Sequence, residues 1–212
     1  MERFIADLEA HGGSSENITD ACLDMSQAFI KGIKENFPRA SLTFDQFHVI
    51  KLMNDTLSKL RTEEARQFPE ELKKTRYIFL KNPDRLSEIE EKKLFELTRF
   101  NLGSIKAYIL KLALQFVYAA KSRAEAEVLL KRWYRRARRS RNNQIVKLSK
   151  TVKEHWDGIL SYFDSWLTNG FLEGINSLIQ AAKAKARGYR NPNNLIAMAY
   201  LIAGKLKLPS SI

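Results

Sequence analysis

A single cysteine, Cys22, is present in the 212 residues. No disulfide can form within the chain, which suits a reducing compartment. Flanked by Ala21 and Leu23, that thiol reads as a small core residue rather than a nucleophile. A secretory leader pattern is lacking too, because Glu2, Asp7, Glu9 and His11 interrupt any apolar run near the start. The longest apolar run near the end, LIAMAYLIAG at 195–204, falls short of the roughly 20 residues that a bilayer requires. It reads as a buried helix, and a cytoplasmic protein without a membrane partner is expected. There is no internal repeat and no low-complexity tract. Histidine is scarce as well, with three in the chain, so the position of each one matters.

What is abundant is positive charge. Hydrophobic residues make up 44% and charged residues 28% of a chain with net charge +12, a composition expected of a soluble globular protein of one fair-sized or two small domains. Twelve Lys and Arg against two Glu fall within 121–153, a local balance of +10, whereas 1–120 balance to zero and 154–212 to +2. Charge focused in this way is the footprint of a polyanion partner. Its centre is KRWYRRARRSR at 131–141, where Lys131, Arg132, Arg135, Arg136, Arg138, Arg139 and Arg141 surround Trp133 and Tyr134. Guanidinium groups bind phosphate bidentately, and an aromatic ring either stacks on a base or packs inward.

The hydrophobic pattern predicts a mainly α chain with a small α/β part. ERFIADLEAHGG (2–13) has helical spacing ending at a Gly pair, ITDACLD (18–24) reads as a strand, SQAFIKGIKENF (26–37) as a helix with Ser26 as N-cap, and ASLTFD (40–45) as a second strand. Strand–helix–strand with a connector of this length predicts two parallel neighbours and a right-handed crossover. Helices are predicted over 46–66, 70–80, 86–101, 104–121, 123–140, 144–164, 170–187 and 193–206. Two strands do not make a stable sheet alone, so further strands, or a second chain supplying them, are expected.

Within LTFDQFHVIK (42–51), Leu42, Phe44 and Phe47 read as core, while Asp45 and His48 need partners. Asp24 and Asp45 each follow a predicted strand, at the carboxyl end where ligands gather in parallel sheets. Two carboxylates brought together there repel unless a proton or a divalent cation intervenes, and hard oxygen donors favour magnesium or manganese. Alternatively, both acids cap the helices that follow. Asp45 and His48, three apart, share one side of a first helical turn. In TNGFLEGINSLIQAAKAKARGYRN (168–191), Glu173, Asn176 and Gln180 form a polar stripe continued by Lys183, Arg187 and Arg190. Glu173 is a candidate metal acid at a helix start, or else a capping-box acid for Gly170.

These stretches together resemble one family. DMSQAFIKGIKENFPRASLTFDQFHVIKLMN (24–54) and LTNGFLEGINSLIQAAKAKARGYRNPNNL (167–195) are similar to the two ends of the catalytic domain in insertion-sequence DDE transposases of the ISL-three type. The resemblance implies a ribonuclease-H-like core in which three carboxylates hold two Mg2+ (or Mn2+) ions for DNA strand cleavage and transfer at the element ends. It assigns the second acid to Asp24 and the third to Glu173, with Asp45 and His48 as an accessory D-x-x-H pair; in another alignment Asp45 is itself the second acid. It implies a partial catalytic core over 1–50, a helical insertion carrying the basic DNA-contacting helix over 51–165, and helices completing the core over 166–212. Only 23 residues precede Asp24, and neither Asp7 nor Asp20 matches the family's first acid. The expectation is therefore a truncated ribonuclease-H-like unit, a transposase fragment inactive alone. It would act as a homo-oligomer or with a second chain that supplies the absent strands. The alternative is a non-catalytic, basic helical DNA-binding protein derived from a mobile element.

Overall fold

A computed structural model describes residues 1–204. They form two compact units, one spanning Met1–Leu167 and one beginning at Thr168.

The first unit opens with helix α1 (Glu2–Ala10), a 3-10 turn, and then strand β1 (Asp20–Leu23), helix α2 (Gln27–Asn36) and strand β2 (Ser41–Phe44). The strands pair in parallel, Asp20 opposite Ser41 through Leu23 opposite Phe44, as the strand–helix–strand order predicts. No further strand joins them among the described residues. What supports the pair is helix α9 (Trp156–Ser165). Ser161 Oγ shares 3.0 Å hydrogen bonds with both Ser41 Oγ and Thr43 Oγ1. The Phe44 ring lies so close to Gly158 that an added Cβ would fall 2.3 Å from it. Glycine at 158 is thus a packing requirement.

The rest of this unit is a helical bundle: α3 (Gln46–Glu64), α4 (Arg76–Leu80), α5 (Glu88–Leu97), α6 (Gly103–Tyr118), α7 (Arg123–Arg138) and α8 (Asn143–Glu154), followed by α9. Buried positions recur at helical spacing, as in Val49, Met53, Leu57 and Leu60 of α3 and Ala126, Leu130, Trp133 and Ala137 of α7. Trp133 donates from Nε1 to Leu110 O at 2.9 Å, joining α7 to α6. Glu64 accepts the backbone N–H groups of Gly103 and Ser104, closing the start of α6 with a side chain from the end of α3. Lys111 is 1% exposed, and its Nζ donates 2.8 Å bonds to the carbonyls of Phe79 in α4 and Lys81 just past it.

Three predicted helices differ in the structure. The span 70–80 is helical only from Arg76, because Lys74 adopts φ 59° and interrupts the turn before it. The span 144–164 breaks at His155 (φ −104°, ψ 18°), whose ring packs edge-on to Phe44 at 4.9 Å. The span 86–101 shortens to α5, closed at its start by a Ser87–Glu90 capping box.

The second unit contains helices α10 (Gly170–Lys185) and α11 (Pro192–Ala203). Neither buries a residue, so the reading of 195–204 as a buried helix is corrected. Ile196, Tyr200 and Leu201 are exposed. The predicted residues 205 and 206 lie outside those described. No helix among the described residues is long and apolar enough to cross a membrane.

Candidate active site and basic face

The parallel register sets the geometry of the first candidate group. Leu23 and Phe44 are paired partners, so Asp24 and Asp45 are the next residues off the carboxyl ends of neighbouring strands, which run about 4.8 Å apart. Asp45 N donates to Leu23 O at 3.2 Å, continuing the ladder to that point. Each acid then serves the helix that follows. Asp24 Oδ1 accepts Ser26 N–H at 2.8 Å, and Asp45 Oδ1 accepts Phe47 N–H at 2.7 Å. The capping reading of both residues is therefore realised. Ser26, the expected cap of α2, occupies the N-cap position without a side-chain bond; Asp24 takes that role from two residues upstream.

Asp45 is buried, 3% exposed. Two groups sense its charge. The Cys22 thiol is pushed up to about 11, mainly by burial and further by Asp45. The Tyr118 hydroxyl is raised by burial first and Asp45 second. Both stay neutral beside the carboxylate. Cys22 is half-buried and its Sγ lies 3.7 Å from Leu167 O, so it behaves as a packing residue, not a nucleophile. His48 stands one turn into α3, its ring edge-on to Phe47 at 5.7 Å. Phe47 is 58% exposed, which corrects its reading as core; Phe44 is buried and Leu42 half-buried.

Glu173 belongs to the second unit. It lies in the first turn of α10, exposed, and its N–H bonds to Asn169 O at 2.8 Å. No side-chain bond caps α10 at Asn169, so the capping box proposed for Gly170 does not form. Asn176, Gln180, Lys183, Arg187 and Arg190 are exposed on the same unit. Among the described residues no three His, Cys, Asp or Glu side chains are grouped to hold a metal ion. Asp24 and Asp45 nonetheless supply two hard oxygen donors side by side, the donor type that a magnesium-class ion selects.

Helix α7 carries the second feature. Its buried stripe takes Trp133 and Ala137 inward, which turns Lys131, Arg132, Arg135, Arg136, Arg138 and Arg139 outward, with Arg141 exposed in the turn that follows. Lys131 pairs with Glu127 at 2.8 Å. Among the described residues none of the six arginines has an ion-pair partner. Lys153 of α8 closes the basic stretch 121–153 but was not singled out in the sequence reading. The Lys131 hydrogen bond and charge hold the Glu127 carboxyl below the usual carboxylate range, with smaller contributions from the Arg123 and Lys153 charges. The signal for Lys153 was the lysine spacing of α8, at 147, 150 and 153.

A family model described as transposase matches residues 1–199. The chain belongs to this family of insertion-sequence transposases. Among curated proteins it is 27% identical over 186 residues to the transposase for insertion sequence element IS1001 of Bordetella parapertussis, covering 84% of this chain and 46% of that protein. It is 29% identical over 211 residues to the transposase for insertion sequence element IS1557 of Mycobacterium tuberculosis strain CDC 1551 / Oshkosh, covering 87% of this chain and 47% of that protein. The chain thus spans about half the length of the curated relatives it matches. No solved structure matches it.

Proposed function

We propose that this transposase fragment contributes two carboxylates and a DNA-binding face to metal-dependent cleavage and transfer of DNA strands at the ends of a mobile element. The observation that carries this reading is the placement of Asp24 and Asp45 at adjacent carboxyl ends of a parallel pair, in the same compact unit as the arginine face of α7.

Asp24, with Glu173 from the second unit, would hold a divalent ion, Mg2+ or Mn2+, and Asp45 is the other contender for the second metal acid. Such an ion supplies charge stabilisation to an in-line phosphodiester displacement. The chain's own residues do the rest. Their backbone-bonded carboxylates fix the donors in place, His48 sits one turn away as an accessory group, and Arg132, Arg135, Arg136, Arg138, Arg139 and Arg141 neutralise phosphates. Residues 1–50 and 166–212 would belong to a ribonuclease-H-like core, with 51–165 as a helical insertion. The open edge of β1 would accept further strands from the rest of a catalytic domain, in a homo-oligomer or from a second chain.

A second reading, a basic helical DNA-binding remnant without catalysis, draws on the helix-capping bonds that already occupy one oxygen of each Asp. Two measurements test the pair. Duplex DNA affinity, followed against salt, is expected to fall with a slope near −0.9 per phosphate neutralised, and Arg135→Gln with Arg136→Gln to flatten that slope. No duplex binding at low salt would overturn both readings. Mg2+-dependent nicking that Asp24→Asn abolishes supports the catalytic reading. Intact binding with no Mg2+ effect on nicking, alone or with a chain carrying the remaining strands, leaves the remnant.

A further inference from the structure

Where α3 begins, next to Asp45, the surface carries a groove of about 410 Å3 lined by Gln46, Phe47, Ile50, Gln115, Tyr118 and Ala119. Three features define what fits it. None of the six lining residues carries a formal charge, so the groove offers no counter-charge to a phosphate or an amine. One wall is the exposed Phe47 ring, steadied edge-on by His48. Tyr118 also lines it, with its ring stacked on Phe163 at 6.1 Å and 17°. Two primary amides, Gln46 and Gln115, stand among these apolar surfaces, and a carboxamide both donates and accepts hydrogen bonds.

A flat, uncharged group with apolar faces and a polar edge matches this set, and in DNA that group is a base. A paired base hides both its stacking faces and its Watson–Crick edge, so an occupant stacked on Phe47 must be unpaired. The charged part of the same nucleotide finds its complement outside the groove. Lys51 lies one turn beyond Phe47, on the same face of α3, exposed and without an ion pair among the described residues. The groove also adjoins the candidate acids: Phe47 N–H is the donor to Asp45 Oδ1, and the Tyr118 hydroxyl feels the Asp45 charge.

We propose that the Phe47–Gln115 groove binds one unpaired nucleobase of the DNA strand held at the acids, with Phe47 stacking on the base and the Gln46 and Gln115 amides meeting its edge. This rests on the DNA reading above and adds to it a preference for a strand that is locally unpaired.

The full chain is titrated against a labelled blunt duplex and against the same duplex carrying one unpaired 2-aminopurine. The duplex with the unpaired base is expected to bind about tenfold more tightly, the factor of one base–aromatic stack, with quenching of the 2-aminopurine. Phe47→Ala and Gln115→Ala are each expected to remove the preference and leave blunt-duplex affinity unchanged, while Phe47→Trp keeps it. Phe47 is exposed, and an unchanged melting temperature verifies that each variant is folded. Equal affinity for the two duplexes overturns the proposal while sparing the DNA reading, as does a preference that survives Phe47→Ala. A Phe47→Ala change that shifts oligomeric state by light scattering without touching base preference assigns the groove to a second copy and overturns it. Failure to bind the blunt duplex at low salt removes the DNA reading itself.

Discussion

Replacing Lys111 by methionine should change how stability depends on pH more than stability itself. Lys111 is 1% exposed, sits 4.5 Å from the centroid of the Tyr108 ring, and meets two carbonyls but no carboxylate. Burial lowers its pKa from 10.5 to about 8. Between those values the unfolded chain binds a proton that the folded chain does not. The linkage relation then makes stability rise with pH through that window. At 1.36 kcal/mol for each pKa unit, the charged form is disfavoured by about 3 kcal/mol below pH 8, and about 2 kcal/mol of that is relieved between pH 7 and pH 9.5. Lys111→Met removes the titration and leaves the carbonyls of Phe79 and Lys81 without the ammonium, a loss of about 1–2 kcal/mol for a buried acceptor. Lys81 O is partly compensated by Tyr108 OH at 3.3 Å. The two proteins should therefore differ by little at pH 7, and the wild type should gain about 2 kcal/mol on the variant by pH 9.5. Urea unfolding followed by circular dichroism at the two pH values gives the difference, in which every other titrating group cancels. A wild-type-minus-variant difference that does not move with pH refutes the assignment of a depressed pKa to Lys111.

Two further outcomes follow from the packing of β2. Gly158→Ala places a Cβ within 2.4 Å of two Phe44 ring atoms. It should destabilise the first unit by about 1–3 kcal/mol, the usual range for overpacking, and Phe44→Leu in the same chain should recover part of the loss in a thermal melt. His155, set against Phe44, has its pKa lowered, chiefly by burial, against an opposing effect of Glu154, with the Lys34 charge a smaller lowering influence. A histidine depressed on folding leaves the unfolded chain with more bound protons. Stability should therefore fall as pH drops below the ordinary value of 6.5, and His155→Phe should flatten the melting temperature between pH 7.5 and pH 5.

Several of these features were legible in the order of residues and others were not. The parallel pair was, because ACL and SLTF are each followed by Asp and flank a helix of the right length. The stripes Val49–Met53–Leu57–Leu60 and Ala126–Leu130–Trp133–Ala137 were, because helical spacing is local. The break at His155 was not. Nothing in KEHWDG marks a helix end, and the ring that packs on His155 there is Phe44, over a hundred residues earlier in the chain. Phe47 read as core because an aromatic after a strand is usually inward; α3 starts at Gln46, and that start turns the ring out. Lys111 is a cation within the apolar run of α6, and its partners are carbonyls, which no pattern of side chains reveals. For Asp24 and Asp45, position could be read from sequence, but the backbone donors that hold them could not.

Those donors bear on whether capping and cation binding compete. A carboxylate whose only task is to start a helix needs neither burial nor a carboxylate neighbour, yet Asp45 is nearly inaccessible, and Asp24 and Asp45 directly follow the paired strand ends Leu23 and Phe44. Two acids so placed repel. The N-terminus of α2 lies just beyond one acid and that of α3 beyond the other. Each helix start carries partial positive charge and donates an N–H to one oxygen. The repulsion is thereby offset in part, and both carboxylates are oriented by the same bonds. Cys22 and Tyr118, the other ionisable groups that sense Asp45, are both held in their neutral forms, so they add no negative charge. Capping of this kind orients both carboxylates, because the bonds that start the two helices hold one oxygen of each acid in place.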